Sequence, residues 1–398
     1  MITEIEINHY KSISHLKQCL NDTVICIGKN ATGKSNFLDA ISFLGDLAVD
    51  GIDNALTKRH GFKSVCQWSK FKPYDLSIHV KFKSRRGSGA YKISIASHRE
   101  GYFVKAETGT WVSQMIDPKT EEHKKNTSSF SRDAQGVVKI RGVSFFERHH
   151  RSDNIKMALT ETFLHSLNTR SIFGRLYSLW NEVASVKLYK IYPNTVRKPE
   201  LPNASSMLES DGSNICRIFK SLGKEQRKNK GRKAKIISAL QHAMPDLDTV
   251  STRNTGEYIV PMFRIFDGKE REKSHLFNAS QISDGSLRLF ALLVALYQAD
   301  GPNIIGLEEP EQNINPALVT VLCDAVKDVA GERQVFVSTH SPQLIDEFDL
   351  KDMLAFEFDD GITKVGEIDK RQINIVKKGL MSLGEISVND QIRLENAS

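Results

Sequence analysis

The stretch Thr23-Val24-Ile25-Cys26-Ile27-Gly28-Lys29-Asn30-Ala31-Thr32-Gly33-Lys34-Ser35 contains the residue order that decides the fold. Its first five residues are apolar or β-branched, a pattern typical of a buried strand. The next eight match G-x-x-x-x-G-K-[ST], a loop whose backbone N–H groups surround phosphates. Beyond Ser35, apolar residues recur at helical spacing as far as Leu47. The sequence therefore predicts a strand, a phosphate-binding loop and a helix in direct succession.

Residues of this loop are candidate nucleotide contacts. We expect Lys34 to reach the β- and γ-phosphates and the Ser35 hydroxyl to bind Mg²⁺. The N-terminus of the following helix adds positive potential. We assign to nucleotide binding Gly28, Lys29, Asn30, Ala31, Thr32, Gly33, Lys34, Ser35 and Asn36. The cofactors expected from this assignment are ATP and Mg²⁺.

Two further strands end in residues suited to phosphate chemistry. Asn303 to Leu307 is an apolar run that leads into Glu308 and Glu309. A phosphate-binding loop of this kind needs one acid for the metal and one group to orient the attacking water. We assign Glu308 to the metal and Glu309 to the water; without the loop, a solvated acidic pair would be the better interpretation.

The strand Phe336 to Ser338 is followed by Thr339 and His340. A histidine at this point can donate a proton to the γ-phosphate or to the attacking water. A lone histidine is more often structural, but its place one strand after the acidic pair favours a catalytic role. We therefore assign His340 to catalysis.

Ser283-Asp284-Gly285-Ser286 stands just before an apolar helix. Ser-x-Gly at a helix N-terminus is an anion-binding geometry. Taken alone, it would be an ordinary helix cap. In company with the other three elements, Ser283, Gly285 and Ser286 become candidate nucleotide contacts; residues 283–286 are named the signature segment below.

In this order, the four elements resemble the ABC-type ATPase heads of the RecF and SMC kind. They are most similar to compact bacterial RecF-like AAA ATPases, which are related to the ATPase part of OLD-family proteins. The resemblance implies an α/β fold: a P-loop ABC-type head with a mixed sheet core, an antiparallel β subdomain and a helical insertion lobe. Matching segments elsewhere are Asn8 to Ile13, Asp211 to Asn214, Glu308 to Glu311 and Leu383 to Glu385.

The resemblance also implies a mechanism. Two heads close face to face around two ATP molecules, and each ATP contacts the Gly28–Ser35 loop of one subunit and the signature segment of the other. The sequence departs from the family at Glu308, where many relatives have Asp, and at Asn315, where relatives often have His. Gln67 is a weak candidate for the family's Q-loop glutamine.

The spacing of the motifs predicts three segments: residues 1–100 with the loop and a β subdomain, an insertion over 101–275, and 276–398 with the signature segment, acidic pair and His340. Within the insertion we expect short strands over 100–150, a mainly helical lobe and the basic loop 217–235. No sustained heptads separate Ser35 from Ser283, so a long SMC coiled coil is excluded. Too little chain follows His340 for a nuclease domain of the OLD type. His149-His150-Arg151 has no accompanying acid set and fits a polar loop better.

Charge is unevenly distributed along the 398 residues, whose formal net charge is +7. Residues 301–398 hold 9 Lys and Arg against 18 Asp and Glu. The remainder is basic, which is compatible with a polyanionic partner. The run 217–235, with nine basic residues and one acid, fits non-specific phosphate contact and a solubilising loop equally well.

The five cysteines form no Cys-x-x-Cys pair, which fits a reducing cytosol. No signal peptide or membrane span is expected.

These features favour an ATP-hydrolysing switch that forms a homodimer or higher oligomer, senses nucleic acid and controls a separate effector such as a nuclease or toxin. Anti-phage defence or DNA repair is the setting that the resemblance implies. An assembly scaffold that binds ATP with negligible turnover is the alternative. An ABC transporter subunit is less favoured because that class prefers Ser-Gly-Gly-Gln and a shorter spacing between motifs.

Overall fold

The computed structural model describes residues 1–69, 74–98, 101–116, 123–143, 155–201, 205–223, 231–267, 272–389 and 391–395. Within these residues the strands form three sheets. The first is antiparallel, with the order β2-β1-β4-β5-β6-β7-β8-β9. Its strands are β1 (Ile2–Tyr10), β2 (Ile13–Cys19), β4 (Leu76–Ser84), β5 (Gly87–His98), β6 (Gly101–Ile116), β7 (His123–Arg132), β8 (Val137–Arg141) and β9 (Ile155–Lys156).

The second sheet is mixed and has the order β10-β14-β15-β3-β16-β17. Its strands are β3 (Thr23–Ile27), β10 (Val186–Tyr189), β14 (Ile304–Glu308), β15 (Gln334–Ser338), β16 (Met353–Asp359) and β17 (Ile362–Gly366). All neighbours are parallel except β16 and β17. The third sheet is antiparallel and contains β11 (Leu247–Thr255), β12 (Tyr258–Asp267) and β13 (Lys273–Asn278).

Helices connect and cover the sheets. The α-helices are α1 (Lys34–Thr57), α2 (Phe62–Val65), α3 (Phe163–Ser166), α4 (Arg170–Phe173), α5 (Leu176–Ala184), α6 (Pro193–Arg197), α7 (Ile215–Ser221), α8 (Arg232–Ala243), α9 (Asp284–Tyr297), α10 (Val319–Val329), α11 (Pro342–Asp346), α12 (Lys370–Lys377) and α13 (Leu383–Asn389). Short 3₁₀ turns occur at Ala279–Gln281, Pro316–Leu318 and Leu350–Asp352. In the described part of the chain, no helix is long and apolar enough to span a bilayer.

Strand β3 lies in the interior of the mixed sheet, between β15 and β16, and all five of its residues are buried. Because β14, β15 and β3 are parallel, their carboxyl ends lie at the same edge of the sheet. That edge is where ligands bind in open α/β sheets. It brings together the loop after β3 and the ends of the two strands that carry Glu308 and Ser338.

Two helices flank the mixed sheet. Helix α1 buries Phe37 and Leu44 in a core shared with the inner face of the eight-stranded sheet. Helix α9 is buried from Ser286 to Tyr297 and belongs to a second core. The mixed sheet with an antiparallel β subdomain confirms the predicted fold class.

The middle segment contains strands of all three sheets as well as helices. Strands β6, β7 and β8 extend the antiparallel sheet through residue 141, and β10 pairs with β14 in the mixed sheet. Helices α3 to α8 occupy only residues 163–243 of this segment. Strand β7 has Phe130 as its one apolar residue and so lacks the alternation of polar and apolar residues that marks a strand in a sequence. The three-segment division itself stays a prediction.

The start of α1 is tied to the N-terminal hairpin through Asp39. Its carboxylate accepts a hydrogen bond from the Tyr10 hydroxyl at 2.7 Å and pairs with Lys11 at 2.6 Å and with Arg59 at 2.8 Å. Burial acts to raise the pKa of Asp39, but Arg59 and Lys11 outweigh it, so the pKa lies below its ordinary value. The ionised carboxylate therefore stabilises the fold.

We predict that Asp39→Asn lowers the free energy of unfolding by about 2 kcal/mol at neutral pH, because it removes the carboxylate that accepts from Tyr10, Lys11 and Arg59 and leaves the nearly buried Arg59 with Asp46 as its remaining charge partner. A lowered carboxyl pKa stabilises above the unfolded-state pKa and loses that effect as pH falls. The deficit should therefore shrink toward pH 3 in thermal melts. Asp50→Asn, which removes a more exposed pair with Lys58, should cost less than about 1 kcal/mol. Equal losses for both variants, or a loss independent of pH, would contradict this account.

Candidate nucleotide-binding site

The Gly28–Ser35 loop, here called the phosphate loop, turns tightly from β3 into α1. Gly28, Ala31 and Gly33 have positive φ angles of 146°, 63° and 100°. A Cβ on Gly33 would collide with the side chain of Thr363 in β17, so both the backbone angle and the packing require glycine there. The Thr32 hydroxyl donates to the Lys29 carbonyl oxygen at 2.8 Å and closes the turn.

Lys34 is the buried cation of this loop. Its ammonium donates to the carbonyl oxygens of Gly28 at 2.7 Å and Lys29 at 2.8 Å. Burial lowers the pKa of Lys34, and the negative charges of Glu309 and Glu311 oppose that shift, as does Cys26. The acids at the neighbouring strand end thus face the lysine.

Some of the other side chains in and next to the loop are exposed, and others form hydrogen bonds within the protein. Lys29, Asn30 and Ser35 are exposed. The Asn36 amide instead donates to the Ser12 hydroxyl at 2.7 Å, and that hydroxyl lies 2.6 Å from the hydroxyl of Thr363. The Asn36 side chain therefore braces the loop against β17. Its backbone N–H, like others in the first turn of α1, has no acceptor within the helix.

Glu308 and Glu309 point in different directions. Glu308 ends β14, and its carboxylate pairs with Lys190 at 2.5 Å. Glu309 has a positive φ of 43°, and its N–H donates to the Ser338 carbonyl oxygen at 2.9 Å. The left-handed turn places the Glu309 carboxylate 3.5 Å from Nδ1 of His340. Two predicted catalytic groups, Glu309 and His340, are therefore neighbours.

The oxygen donors at this edge suit Mg²⁺, which prefers carboxylate, hydroxyl, water and phosphate ligands. The Ser35 residue is exposed in the first helical turn, and Glu308 offers a carboxylate that Lys190 also contacts. Among the described residues, no group of three or more His, Cys, Asp or Glu side chains is arranged to hold a metal. That agrees with an ion bound largely through nucleotide phosphates.

Glu311 is a site residue to which the sequence analysis gave no role. One carboxylate oxygen accepts a hydrogen bond from the Thr339 hydroxyl at 2.6 Å. The other is buried without a hydrogen-bond partner in the described structure. Its charge acts on Lys34 and on Arg288. The only signal in the sequence was its place in Glu-Glu-Pro-Glu, which does not separate it from a solvated acid.

Arg288 is the second residue that the analysis missed. It is a buried guanidinium on α9 that donates to the Glu309 carbonyl oxygen at 3.0 Å. Burial lowers its pKa, opposed by Tyr192, Glu311 and Glu309. Its other two guanidinium nitrogens are buried without partners among the described residues. A single cation inside an otherwise apolar helix was the signal available in the sequence.

The signature segment begins α9 and packs on the loop that follows Glu309. The Ser283 hydroxyl caps the helix, 2.9 Å from the hydroxyl of Ser286. A Cβ on Gly285 would lie 2.6 Å from the Asn313 carbonyl oxygen, so glycine permits this close approach. Ser283 itself is exposed. The structure thus groups the signature segment with Asn313, and the phosphate loop with Glu309, Glu311 and His340.

Two cavities border the acidic strand ends. One of about 200 Å³ lies against the phosphate loop and His340, with the C-terminal residues Ser387, Gln391 and Ile392 on its other side. The second, of about 260 Å³, is lined by Lys190, Ile191, Tyr192, Arg288, Glu308, Glu309 and Gln312. Helix α13 is held beside the first by a bond from the Gly384 N–H to Asp346 at 2.7 Å.

Gln67 is hydrogen-bonded to His9 at the end of β1. Its N–H donates to the His9 carbonyl oxygen, and its side-chain oxygen lies 2.9 Å from Nδ1 of His9. The residue therefore secures the end of β1, and its assignment to the Q-loop gains no support.

In the basic run 217–235, residues 224–230 lie outside the described residues, as do His149, His150 and Arg151. Of the cations that are described, Arg232 pairs with Glu332 at 3.0 Å and Lys235 with Asp328 at 2.6 Å. The Lys233 ammonium lies 4.9 Å from the centre of the Phe219 ring.

Comparisons with known proteins agree with this architecture. A family profile described as "AAA domain, putative AbiEii toxin, Type IV TA system" matches residues 25–346. No curated protein matches the chain.

Among solved structures, an SMC head bound to the C-terminal winged-helix domain of ScpA aligns with a TM-score of 0.54 and 15% identity, over 92% of this chain and 97% of that one. An Smc head with an extended coiled coil, bound to the C-terminal domain of ScpA derived from Pyrococcus furiosus, aligns with a TM-score of 0.52 and 13% identity, over 96% and 99%. The chain therefore has the fold of an SMC-like ABC-type ATPase head.

We predict that Lys34→Ala weakens ATP binding at least about a hundredfold, because it removes the charge-assisted hydrogen bonds of the one buried ammonium in the loop. Isothermal calorimetry measures the affinity. Lys29→Ala is the matched control, since it removes an exposed ammonium from the same loop and should have a small effect. Unchanged affinity in Lys34→Ala would contradict the assignment of this lysine.

Proposed function

Because the chain belongs to the family described as "AAA domain, putative AbiEii toxin, Type IV TA system", we propose that it is an ATP-binding and ATP-hydrolysing switch. Two copies close around two ATP molecules, and hydrolysis reopens them. The nucleotide state governs nucleic-acid sensing and the activity of a partner effector. Anti-phage defence or DNA repair is the setting that fits this family and fold.

One observation supports the proposal best: Lys34, Glu309, Glu311 and His340 converge at one edge of the parallel strands. Lys34 neutralises phosphate charge. Glu309 is placed to accept a proton from an attacking water, and His340, 3.5 Å from that carboxylate, is placed to donate toward the γ-phosphate. Mg²⁺, when bound, supplies charge neutralisation for phosphoryl transfer, and Ser35 and Glu308 are the residues that would hold it.

The exposure of Ser283 supports a shared site. The signature segment packs on the Asn313 carbonyl oxygen, while Lys34 of the phosphate loop interacts electrostatically with Glu309 and Glu311. The exposed Ser283 and the N-terminus of α9 are therefore suited to an anion that a second copy carries. Symmetric pairing of two heads gives two equivalent sites.

Arg288 gives the signature helix a direct connection to the catalytic acid. Its buried guanidinium on α9 donates a hydrogen bond to the backbone carbonyl oxygen of Glu309, whose φ angle is positive. A change in the position of α9 on dimer closure would alter the support of Glu309. We propose that closure and hydrolysis are coupled through this contact.

A separate effector protein is the second part of the proposal. Both aligned SMC heads are bound to domains of another protein, ScpA. The family description names a putative toxin of a toxin–antitoxin system. We propose that this head, too, transmits its nucleotide state to a partner such as a nuclease or toxin.

The scaffold alternative predicts ATP binding without turnover, and steady-state hydrolysis separates the two. We expect Glu309→Gln to lower the rate about a hundredfold or more while ATP binding persists, because it removes the carboxylate that accepts the proton. Phosphate release, measured with and without DNA, gives the rate. Glu257→Gln, an exposed substitution in the turn after β11, serves as the control and should leave the rate unchanged. Absence of wild-type turnover above the Glu309→Gln background in every condition would favour the scaffold.

A further inference from the structure

The outer face of the antiparallel sheet carries an unusual set of charges. On strands β4 to β9, side chains alternate between a buried inner face and an outward face. The regularly paired outward positions of these strands hold seven basic and no acidic side chains; the bulged Lys105 of β6 is paired with Asp75, and the acids Glu4 and Glu6 stand on the same face on β1. The chain as a whole has 55 Lys and Arg against 48 Asp and Glu, so this face departs strongly from the average. The basic face consists of Lys81, Lys83, Lys92, Lys125, Lys139, Arg141 and Lys156.

Strand register fixes how these cations are arranged. One row of cross-strand partners runs from Lys92 through Thr108 and Ser131 to Lys139. The next row, parallel to it, runs from Lys81 on β4 to Arg141 on β8. Six of the seven cations therefore form two banks, one on β4 and β5 and the other on β8 and β9, while Lys125 lies on β7 between them.

The strip between the banks is rich in hydroxyl groups and carries Lys125 toward one end. Its outward residues on β6 and β7 include Thr108, Thr110, Thr127, Ser129 and Ser131. Hydroxyl groups are common donors to phosphate oxygens. The inner face of the same strands, with Trp111 and Phe130, is buried in the core, so the outer cations are not needed for packing.

Most of these cations form no ion pair with a carboxylate among the described residues. Lys81 pairs with Glu4 at 3.0 Å on the neighbouring strand. Lys83, Lys92, Lys139 and Arg141 have no carboxylate partner among the described residues. The basic run 217–235 differs, because its described cations Arg232 and Lys235 are paired with acids. The sheet face is thus the better candidate for a polyanion.

We propose that the basic face binds the backbone of double-stranded DNA. With strands about 4.8 Å apart, Lys92 and Lys139 lie about 14 Å from each other across the sheet, and Lys81 and Arg141 about 19 Å. Long, flexible Lys and Arg side chains at these separations can reach the two phosphate strands that border a major groove about 12 Å wide. The major groove of A-form RNA is narrow and fits less well. Among the described outward positions of β4 to β9, Phe103 is the one Phe, Tyr or Trp residue, so the face lacks the succession of aromatic rings typical of single-strand binders.

This inference rests on the proposed function, because it assigns a surface to the proposed nucleic-acid sensing, but its test does not require ATP. The full chain, without nucleotide, is titrated against a labelled duplex of about 30 base pairs at several salt concentrations. Lys92→Gln/Lys139→Gln/Arg141→Gln should weaken binding at least about tenfold near 0.1 M salt. It should also reduce the slope of log K against log salt by up to about 2.7, since each phosphate contact contributes about 0.9.

Arg371→Gln/Lys377→Gln/Lys378→Gln is the matched control, because it removes the same three charges from exposed positions at and just beyond α12. It should bind DNA like the wild type, and both triple variants should keep the basal ATPase rate. Equal loss in the two variants would assign binding to net charge alone and overturn the proposal.

The remaining arms of the experiment separate the sources of negative charge. Single-stranded DNA, duplex RNA of equal length and vesicles containing anionic lipid should each bind the wild type more weakly than duplex DNA. Tighter binding of any of them would overturn the assignment to duplex DNA. If DNA binding is lost in the sheet variant while ATPase activity is absent even in the wild type, the switch proposal fails and this one stands.

Discussion

The position of Lys34 is the constraint on which the site depends. Its ammonium is buried in a loop that has positive φ angles at Gly28, Ala31 and Gly33, and it bonds carbonyl oxygens of that loop. A buried cation needs compensating negative charge, which Glu309 and Glu311 provide from the next-but-one strand. The parallel order β14-β15-β3 is what brings these carboxylates to the lysine. The order of the strands therefore determines which carboxylates balance the charge of Lys34.

The same edge connects catalysis to the rest of the head. Glu309 is held at its N–H by Ser338 and at its carbonyl by Arg288, while Glu311 is held by Thr339. Two of these supports come from the strand that leads to His340, and one comes from the helix behind the signature segment. A nucleotide bound between two copies would act on both the strand that leads to His340 and the helix that begins at the signature segment. The basic face lies on the other sheet, whose inner side packs against α1, the helix that begins at Lys34.

Much of the fold was predictable because its signals are local. The buried strand, glycine loop and helix around Lys34 follow from composition and spacing, and so do β14, β15 and α9. The extent of the antiparallel sheet was harder to predict, because β7 is rich in Ser and Thr and has Phe130 as its one apolar residue. Those small side chains are explained by the sheet's position, with one face in water and the other against the core.

The site was predictable in its residue types and less so in its contacts. The motif placed Glu309 and His340 together, and they are neighbours at 3.5 Å. It could not foresee that Glu308 pairs with Lys190 or that Asn36 bonds Ser12, because those partners are distant in sequence. Glu311 and Arg288 went unassigned for the same reason: their importance comes from burial, which only the packed structure establishes.

The sharing of one nucleotide between two copies is tested most directly by mixing two inactive variants. Lys34→Ala disables the phosphate loop, and Ser283→Arg places a bulky side chain at the exposed signature segment. If each site takes its loop from one copy and its signature from the other, half of the dimers in an equimolar mixture are mixed and each has one intact site of two, which predicts about a quarter of the wild-type ATPase rate. A mixture as inactive as either variant alone would contradict the account.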